Sequence, residues 1–177
     1  IEQSSVALTR ILPYYQNQDY IKALYGDSLK KIRDQEIIGL VKIANEYEGS
    51  EQGSTAALYA ANCFFNLKKI GDAIEYFKKA SDSESSLVLE GAYASMGACY
   101  EMQNNFEEAV KQYEKALNTV TTPDSKGKYQ FYMALCYEKL GNKEKAEKLY
   151  RDIIGVNRSE YVGYAKSGLV RLGTIIE

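Results

Sequence analysis

The sequence has no histidine and no tryptophan, and only two prolines and three cysteines among its 177 residues. Without histidine it lacks the commonest general base and the commonest zinc ligand of proteins. Cys63, Cys99 and Cys136 are widely spaced and form no CxxC pair, so neither a metal knuckle nor a thioredoxin-type redox site is predicted. We therefore predict no catalytic residue, no metal site, no cofactor and no enzymatic activity.

An excess of one charge is also missing, because the net charge is -2 and the isoelectric point is near 5.4. Such a balance gives no field that would hold nucleic-acid phosphates, so we predict no nucleic-acid partner. The longest apolar stretches are far shorter than the roughly 20 residues needed to span a bilayer. We expect no membrane insertion by this stretch of chain.

Tyrosine is abundant, with 16 copies. Its ring offers a large apolar face and one polar tip, which suits half-buried surfaces and interfaces. Most of these rings are expected to pack between helices, and a few could line a binding surface.

Small residues recur at a fixed period along the chain. Three segments align on a central alanine, and successive alanines lie 36 and 37 residues apart. A second small residue lies 12 positions before each alanine, and a cysteine lies 10 before it. The aligned small residues are Ala61 and Ala73, Gly97 and Ala109, and Ala134 and Ala146. Cysteine at such a repeated position indicates a small buried hydrophobe, and a leucine at Gly97 should overpack a close helix contact.

Each repeat contains two stretches with apolar residues at helical spacing, separated by turn signals. Asn104-Asn105 and Gly141-Asn142 combine a residue tolerant of left-handed backbone with a polar cap for the next helix. Asn105 followed by Glu108 predicts a capping box, and Thr122-Pro123 predicts an N-cap and first helical position. Lys68-Lys69 is a weaker turn signal in the first repeat.

The order of small residue, aromatic residue, turn, alanine and second aromatic resembles the tetratricopeptide repeat, a helix–turn–helix unit of about 34 residues. The resemblance implies an all-α fold, a right-handed solenoid of antiparallel helix pairs closed by a C-terminal capping helix. It predicts one domain over residues 1–177, with repeats at 54–87, 90–123 and 127–157. The first-helix tryptophan usual in the family is replaced by Ala57, Tyr93 and Gln130.

The two ends of the chain depart from the repeat. Residues 3–48 are predicted to be a degenerate first repeat, interrupted after Leu24, with a helix resuming near Glu36. Residues 159–175 are predicted to be the capping helix, with Gly168 at the small position. Its other apolar residues are many for a cap, and either a neighbouring molecule or a longer parent chain could bury them: Val162, Leu169, Val170 and Ile176.

A narrower resemblance concerns residues 3–48, which look like the leading region of bacterial tetratricopeptide proteins with an N-terminal membrane anchor. The ancillary subunit of the Sec translocon is one such protein. This resemblance implies a bacterial cytoplasmic or periplasmic protein, tethered to a membrane through a segment outside this sequence. The residues do not decide between the two compartments.

In the tetratricopeptide family the first helices line a concave groove that binds a protein or peptide. Twelve positions of this sequence match exposed groove positions: Leu58, Asn62, Phe65, Asn66, Ala94, Ala98, Glu101, Met102, Lys128, Phe131, Leu135 and Glu138. Several of them could instead contact the next repeat and belong to the core. The clamp that binds chaperone tails in one family subtype is not matched beyond Asn62, since Leu58 and Tyr132 replace its basic residues.

Three functions remain open from the sequence. The first is an interaction scaffold that binds a partner in a bacterial, membrane-associated assembly. The second is a structural module whose copies associate as a homodimer through the C-terminal helix, which a Leu169→Asp change should disrupt. The third is the regulatory part of an enzyme whose catalytic part lies outside this sequence.

Overall fold

The computed structural model describes residues 2–32 and 35–174. In those residues helices dominate, which confirms the predicted all-α class, and one short hairpin of strands is added. Two compact units are present, one up to Ala92 and one from Tyr93. The elements are α1 Glu2–Gln16, α2 Tyr20–Tyr25, β1 Gly26–Ile32, β2 Gln35–Ile38, α3 Leu40–Glu46, α4 Glu51–Asn66, α5 Ile70–Ala80, α6 Ser86–Met102, α7 Phe106–Thr119, α8 Pro123–Lys139, α9 Lys143–Val156 and α10 Val162–Arg171.

The helix starts follow the predicted caps. The side chains of Asn105, Thr122 and Asn142 each accept a hydrogen bond from the backbone N–H three residues later, at 3.3, 3.2 and 3.1 Å. The capping box is only half formed, because the Asn105 N–H donates to the Tyr100 carbonyl and Glu108 pairs instead with Lys111. The three N-caps are therefore confirmed, but the predicted second bond of the capping box, from the Asn105 N–H to the Glu108 side chain, is not formed.

The turns inside the helix pairs share one backbone conformation. Asn104 and Gly141 have φ of 58° and 72°, as the left-handed turn requires. Lys68 and Gln18 adopt the same conformation, with φ of 62° and 60°, although neither residue favours it. The weak turn signal at Lys68-Lys69 therefore marks the same kind of turn as Asn104 and Gly141.

The small residues lie where helices touch. The five alanines of the repeat positions are fully buried, with no accessible surface. A Cβ atom added at Gly97 on α6 would lie 2.5 Å from the ring of Tyr113 on α7, so the two helices approach too closely for any larger residue. Gly168 on α10 is covered in the same way by the Tyr150 ring, at 2.4 Å.

The cysteines are buried thiols, as predicted, and none forms a disulfide. Burial raises the pKa of Cys63 and Cys136 to about 12 and that of Cys99 to about 11. A thiol that stays protonated is a poor nucleophile and metal ligand.

The predicted helix from Glu36 is wrong. Residues Gln35–Ile38 form strand β2, antiparallel to β1, and helix α3 begins only at Leu40. The β-branched residues of this segment favour a strand. Gly26 has φ of 91°, and a Cβ there would lie 2.2 Å from the Ile37 carbonyl oxygen, so the base of the hairpin closes only around glycine.

The capping helix is shorter than predicted. Helix α10 begins at Val162, because residues 159–161 form a turn tied to the start of α8, where Asp124 accepts bonds from the Glu160 N–H at 2.9 Å and the Ser159 hydroxyl at 3.3 Å. Leu169 is buried with Tyr150 and Ile153 rather than free for a neighbour. Val170 is 65% exposed, and Ile176 lies outside the described residues.

Candidate protein-interaction surface

The first helices of the pairs, α4, α6 and α8, carry the twelve predicted binding residues. None of the twelve is buried: Asn66 and Met102 are exposed and the other ten are half-buried. Exposure leaves them available to a partner, and the contacts that each one makes within the chain decide how free it is.

In the first unit, two of the predicted residues contact neighbouring helices. The Leu58 methyl groups lie 3.5 Å from the position of a Cβ at Gly91, at the start of α6. The Asn62 side chain lies near the Tyr15 hydroxyl on α1. Asn62, the one position that matches the chaperone-tail clamp, is therefore half-buried beside another helix.

The other two predicted residues of α4 are freer. The Asn66 side-chain amide donates to the Asn62 carbonyl at 2.8 Å, within its own helix. The Phe65 ring is half-buried, and the Lys68 ammonium lies 6.0 Å from its centroid. Phe65 is therefore the accessible aromatic residue at this end of α4.

In the second unit, Glu101 lies beside side chains of two other helices. Its carboxylate on α6 is near the Tyr113 hydroxyl on α7, and the Cys136 thiol on α8 lies 3.6 Å from Oε1. Burial and this carboxylate both raise the pKa of Tyr113, so the phenol stays protonated.

Glu138 repeats this arrangement one helix pair later. It accepts a hydrogen bond from the Tyr150 hydroxyl on α9, and from Arg171 on α10 through Nη2 at 2.8 Å and Nε at 3.4 Å. Burial raises the pKa of Glu138, but the bonds from Arg171 and Tyr150 outweigh it, so the pKa lies below its ordinary value. Glu101 and Glu138 therefore connect helices, whether or not a partner also contacts them.

Aromatic rings gather around the predicted residue Phe131. Its ring centroid lies 5.6 Å from that of Tyr161 and 5.7 Å from that of Tyr164, and these two tyrosines are 5.8 Å apart. Tyr132 joins with its ring centroid 6.2 Å from that of Phe131 and 6.4 Å from that of Tyr161. We call Phe131, Tyr132, Tyr161 and Tyr164 the C-terminal aromatic cluster.

The tyrosines of this cluster were missing from the predicted set. Tyr164 is 60% exposed, while Tyr161 and Tyr132 are half-buried. Burial, followed by the nearby Tyr132 hydroxyl, raises the pKa of Tyr161 to about 12. The sequence showed that tyrosine is abundant, but abundance alone does not predict which rings will be in contact.

The remaining predicted residues of α6 and α8 are half-buried, apart from the exposed Met102, and Ala94 packs against the buried cluster that contains Tyr113 and Tyr129. Ala94, Ala98 and Met102 follow each other at four-residue spacing and so share one face of α6. Met102 is 49% exposed. On α8, Leu135 is half-buried and Lys128 lies over the Tyr129 ring at 4.4 Å.

Across 2–32 and 35–174 no three histidine, cysteine, aspartate or glutamate side chains converge in a way that could hold a metal ion. Within the same ranges no helix is both long enough and apolar enough to cross a membrane. One cleft of the second unit, lined by Lys126, Gln130 and Val156 among others, contains none of the twelve predicted residues.

Comparison with known sequences identifies the repeat. Residues 89–159 match the family described as tetratricopeptide repeat. This part of the chain, less than half of it, is similar to tetratricopeptide repeats. A search of curated proteins found no match.

The fold of this chain recurs in solved structures. BtubC (BKLC) from P. vanneervenii aligns with a TM-score of 0.55 and 21% identity over 77% of this chain and 55% of its own. MamA MSR-1 C2 aligns with a TM-score of 0.54 and 14% identity over 89% of this chain and 98% of its own. This chain thus spans little more than half the length of BtubC. At these identities the likeness concerns the fold, and the narrower resemblance of residues 3–48 stays a prediction.

Proposed function

We propose that this tetratricopeptide chain is an interaction scaffold that binds a partner protein or peptide along the first helices of its repeats. The observation that carries the proposal is the face of α6 formed by Ala94, Ala98 and Met102. This face has one exposed, flexible apolar side chain, Met102, preceded by two small, half-buried residues. Such a surface suits an apolar side chain of a partner, and methionine adapts to different shapes.

Accessible residues on the other two first helices support the same role. Leu135 on α8 occupies the repeat position of Ala98, and Phe65 on α4 occupies that of Glu101, next to the position of Met102. Both are half-buried apolar side chains. Charged residues on these faces are few, and Glu138 is already held by Arg171. We therefore propose a partner segment that presents apolar side chains, with charge playing a minor part.

The test begins with a photo-crosslinking amino acid at position 102, used to capture partners and to identify them by mass spectrometry. The affinity of the purified partner is then measured by calorimetry for Met102→Glu and Leu135→Glu. Each should weaken binding at least about tenfold, because a buried charge without a partner is costly. Val156→Glu is the matched control, since Val156 is 52% exposed on the second helix α9.

The proposal fails if both variants bind as tightly as the parent chain. It also fails if Val156→Glu weakens binding as much as they do, because the partner would then not select the first helices. Circular dichroism of each variant separates loss of binding from loss of folding.

A place in a bacterial membrane-associated assembly is the finer part of the proposal. It is supported by the likeness of residues 3–48 to the leading region of membrane-anchored tetratricopeptide proteins. Fractionation of cells that express the complete reading frame tests it. Recovery of the protein and its captured partner only in the soluble fraction would contradict it.

Self-association through α10 is a second candidate, because Tyr164 and Val170 are 60% and 65% exposed there. Leu169→Asp does not test it, because Leu169 is in the core and the change would unfold the helix packing. Val170→Asp is the appropriate variant. A molar mass from light scattering that does not change with concentration would remove this candidate.

A further inference from the structure

The hairpin of the first unit contains a bulge that points one apolar side chain at solvent. Asp27 lies opposite Ile37 and Lys31 lies opposite Glu36, so Ser28, Leu29 and Lys30 have no partners in the ladder. Leu29 is 94% exposed. Bulges commonly redirect a side chain at the edge of a sheet.

The base of the bulge is firmly held. The Asp27 side chain is only 9% exposed, and its carboxylate accepts hydrogen bonds from the Tyr14 hydroxyl at 2.8 Å, Lys22 Nζ at 3.2 Å and the Leu29 N–H at 3.1 Å. The bonds from Tyr14 and then Lys22 hold the pKa of Asp27 below its ordinary value. The carboxylate therefore stays charged, and it fixes the chain that carries Leu29.

Other exposed apolar and cationic side chains lie close along the chain. Ile21 and Tyr25, one turn apart on α2, are 54% and 57% exposed, and α2 leads directly into β1. Lys30 and Lys31 are both exposed. We call Ile21, Tyr25, Leu29, Lys30 and Lys31 the hairpin patch.

We propose that the hairpin patch adsorbs to the surface of a bilayer that contains anionic lipids. Lysines beside an apolar side chain and a tyrosine are the combination that favours the boundary between headgroups and acyl chains. Each lysine near an anionic surface strengthens binding about fivefold. Glu36, opposite Lys31, offsets part of that attraction, so the apolar side chains provide a substantial share of it.

The size of the patch favours a lipid surface over a protein partner. A stable protein interface uses about 20–30 residues on each side, whereas the hairpin patch has five. An apolar side chain with flanking cations is enough for weak, reversible adsorption to a bilayer. This inference does not depend on partner binding by α6 and α8.

The absence of tryptophan from the sequence allows a direct test. A Leu29→Trp variant carries the only indole, and its fluorescence is followed as vesicles are added. Vesicles of phosphatidylcholine with phosphatidylglycerol should shift its emission to the blue, and vesicles of phosphatidylcholine alone should do so much less. Leu87→Trp is the control, since Leu87 is 75% exposed on α6 of the same unit and should show no shift.

Co-sedimentation with the same vesicles measures the strength of adsorption without an added indole. Leu29→Ser should weaken it about tenfold, from the apolar surface lost. Lys30→Gln combined with Lys31→Gln should weaken it by about 25-fold, from about fivefold for each lysine. The matched controls are Leu87→Ser, and Lys68→Gln combined with Lys69→Gln at the exposed α4–α5 turn, and both should bind like the parent chain.

Three results would overturn the inference. The first is no blue shift and no sedimentation with anionic vesicles. The second is an equal loss of sedimentation in the control variants, which would show that adsorption is not specific to the hairpin. The third is a protein partner that is lost with Leu29→Ser while vesicles are not bound, which would make the patch a protein contact.

Discussion

The two units fill the same repeat positions with different chemistry. The second unit has a glutamate on the first helix and a tyrosine on the second. Glu138 accepts a hydrogen bond from Tyr150, and Glu101 lies near Tyr113. The register of the repeat puts Phe65 and Phe77 at these two positions in the first unit. Phe77 is fully buried.

The difference shows that one helix contact can be stabilised by apolar packing or by a polar pair. A polar pair needs both members, since removing one leaves the other buried without a partner. The phenylalanine positions depend instead on volume. The glutamates also reach the following first helix, through Cys136 and Arg171, a contact that Phe65 has no polar atom to make.

The largest expected effect on the free energy of unfolding comes from the buried phenylalanine of the first unit. Phe77→Ala should lower the free energy of unfolding by about 3–5 kcal/mol, because it leaves a large cavity at a fully buried site. Tyr150→Phe, which keeps the ring and loses only the hydroxyl, should cost much less. Urea unfolding followed by circular dichroism measures both, and equal losses would contradict the volume argument.

A smaller effect is expected when a polar pair is broken. Glu138→Ala should cost about 1–3 kcal/mol, because the Tyr150 hydroxyl and Arg171 lose their acceptor. Combining Glu138→Leu with Tyr150→Phe imitates the first unit and should cost less than the sum of the two single changes. Strictly additive costs in this double-mutant cycle would show that the two side chains do not act as a pair.

Acid should lower the stability of the second unit, because it protonates the Glu138 carboxylate. Its pKa in the folded chain lies below the ordinary value of 4.5, so its stabilising contribution is complete above pH 4.5. That contribution is lost as the pH falls through the lower folded value. Glu138→Gln should remove this part of the pH dependence, measured by thermal unfolding between neutral pH and pH 3. An unchanged acid profile in Glu138→Gln would contradict the assignment.

The smallest effect concerns thiol reactivity. Burial raises the pKa of all three cysteines, so the folded chain should react slowly with a thiol reagent at pH 8 and fully after unfolding in urea. Glu101 further raises the pKa of Cys136, so Glu101→Gln should modestly speed labelling at that site alone. Labelling is located by mass spectrometry, with Cys63 of the first unit as the internal reference.

The repeat pattern could be predicted because it depends on local rules. Small residues at a fixed period, turn residues and caps predicted the helices of residues 51–156 and the close contact at Gly97. The bond that completes the capping box could not be foreseen, because Glu108 has a nearby alternative in Lys111.

Local rules could not predict the hairpin, nor the contacts that the predicted binding residues make within the chain. Ile37 and Leu40 are apolar at helical spacing, and only the close approach of the chain at Gly26 shows that a strand precedes α3. Glu101 and Glu138 look like free groove residues until Tyr113, Tyr150 and Arg171 are brought to them by the fold. Leu169 was expected at a surface for the same reason, since one helix alone does not reveal which face its neighbour covers.

Hydrogen–deuterium exchange of the chain with its captured partner tests the central claim most directly. The account predicts that binding protects the backbone amides of α6 and α8 around Met102 and Leu135, while α7 and α9 exchange as in the free chain. Protection confined to the second helices, or to α10, would contradict it and would place the partner on another surface.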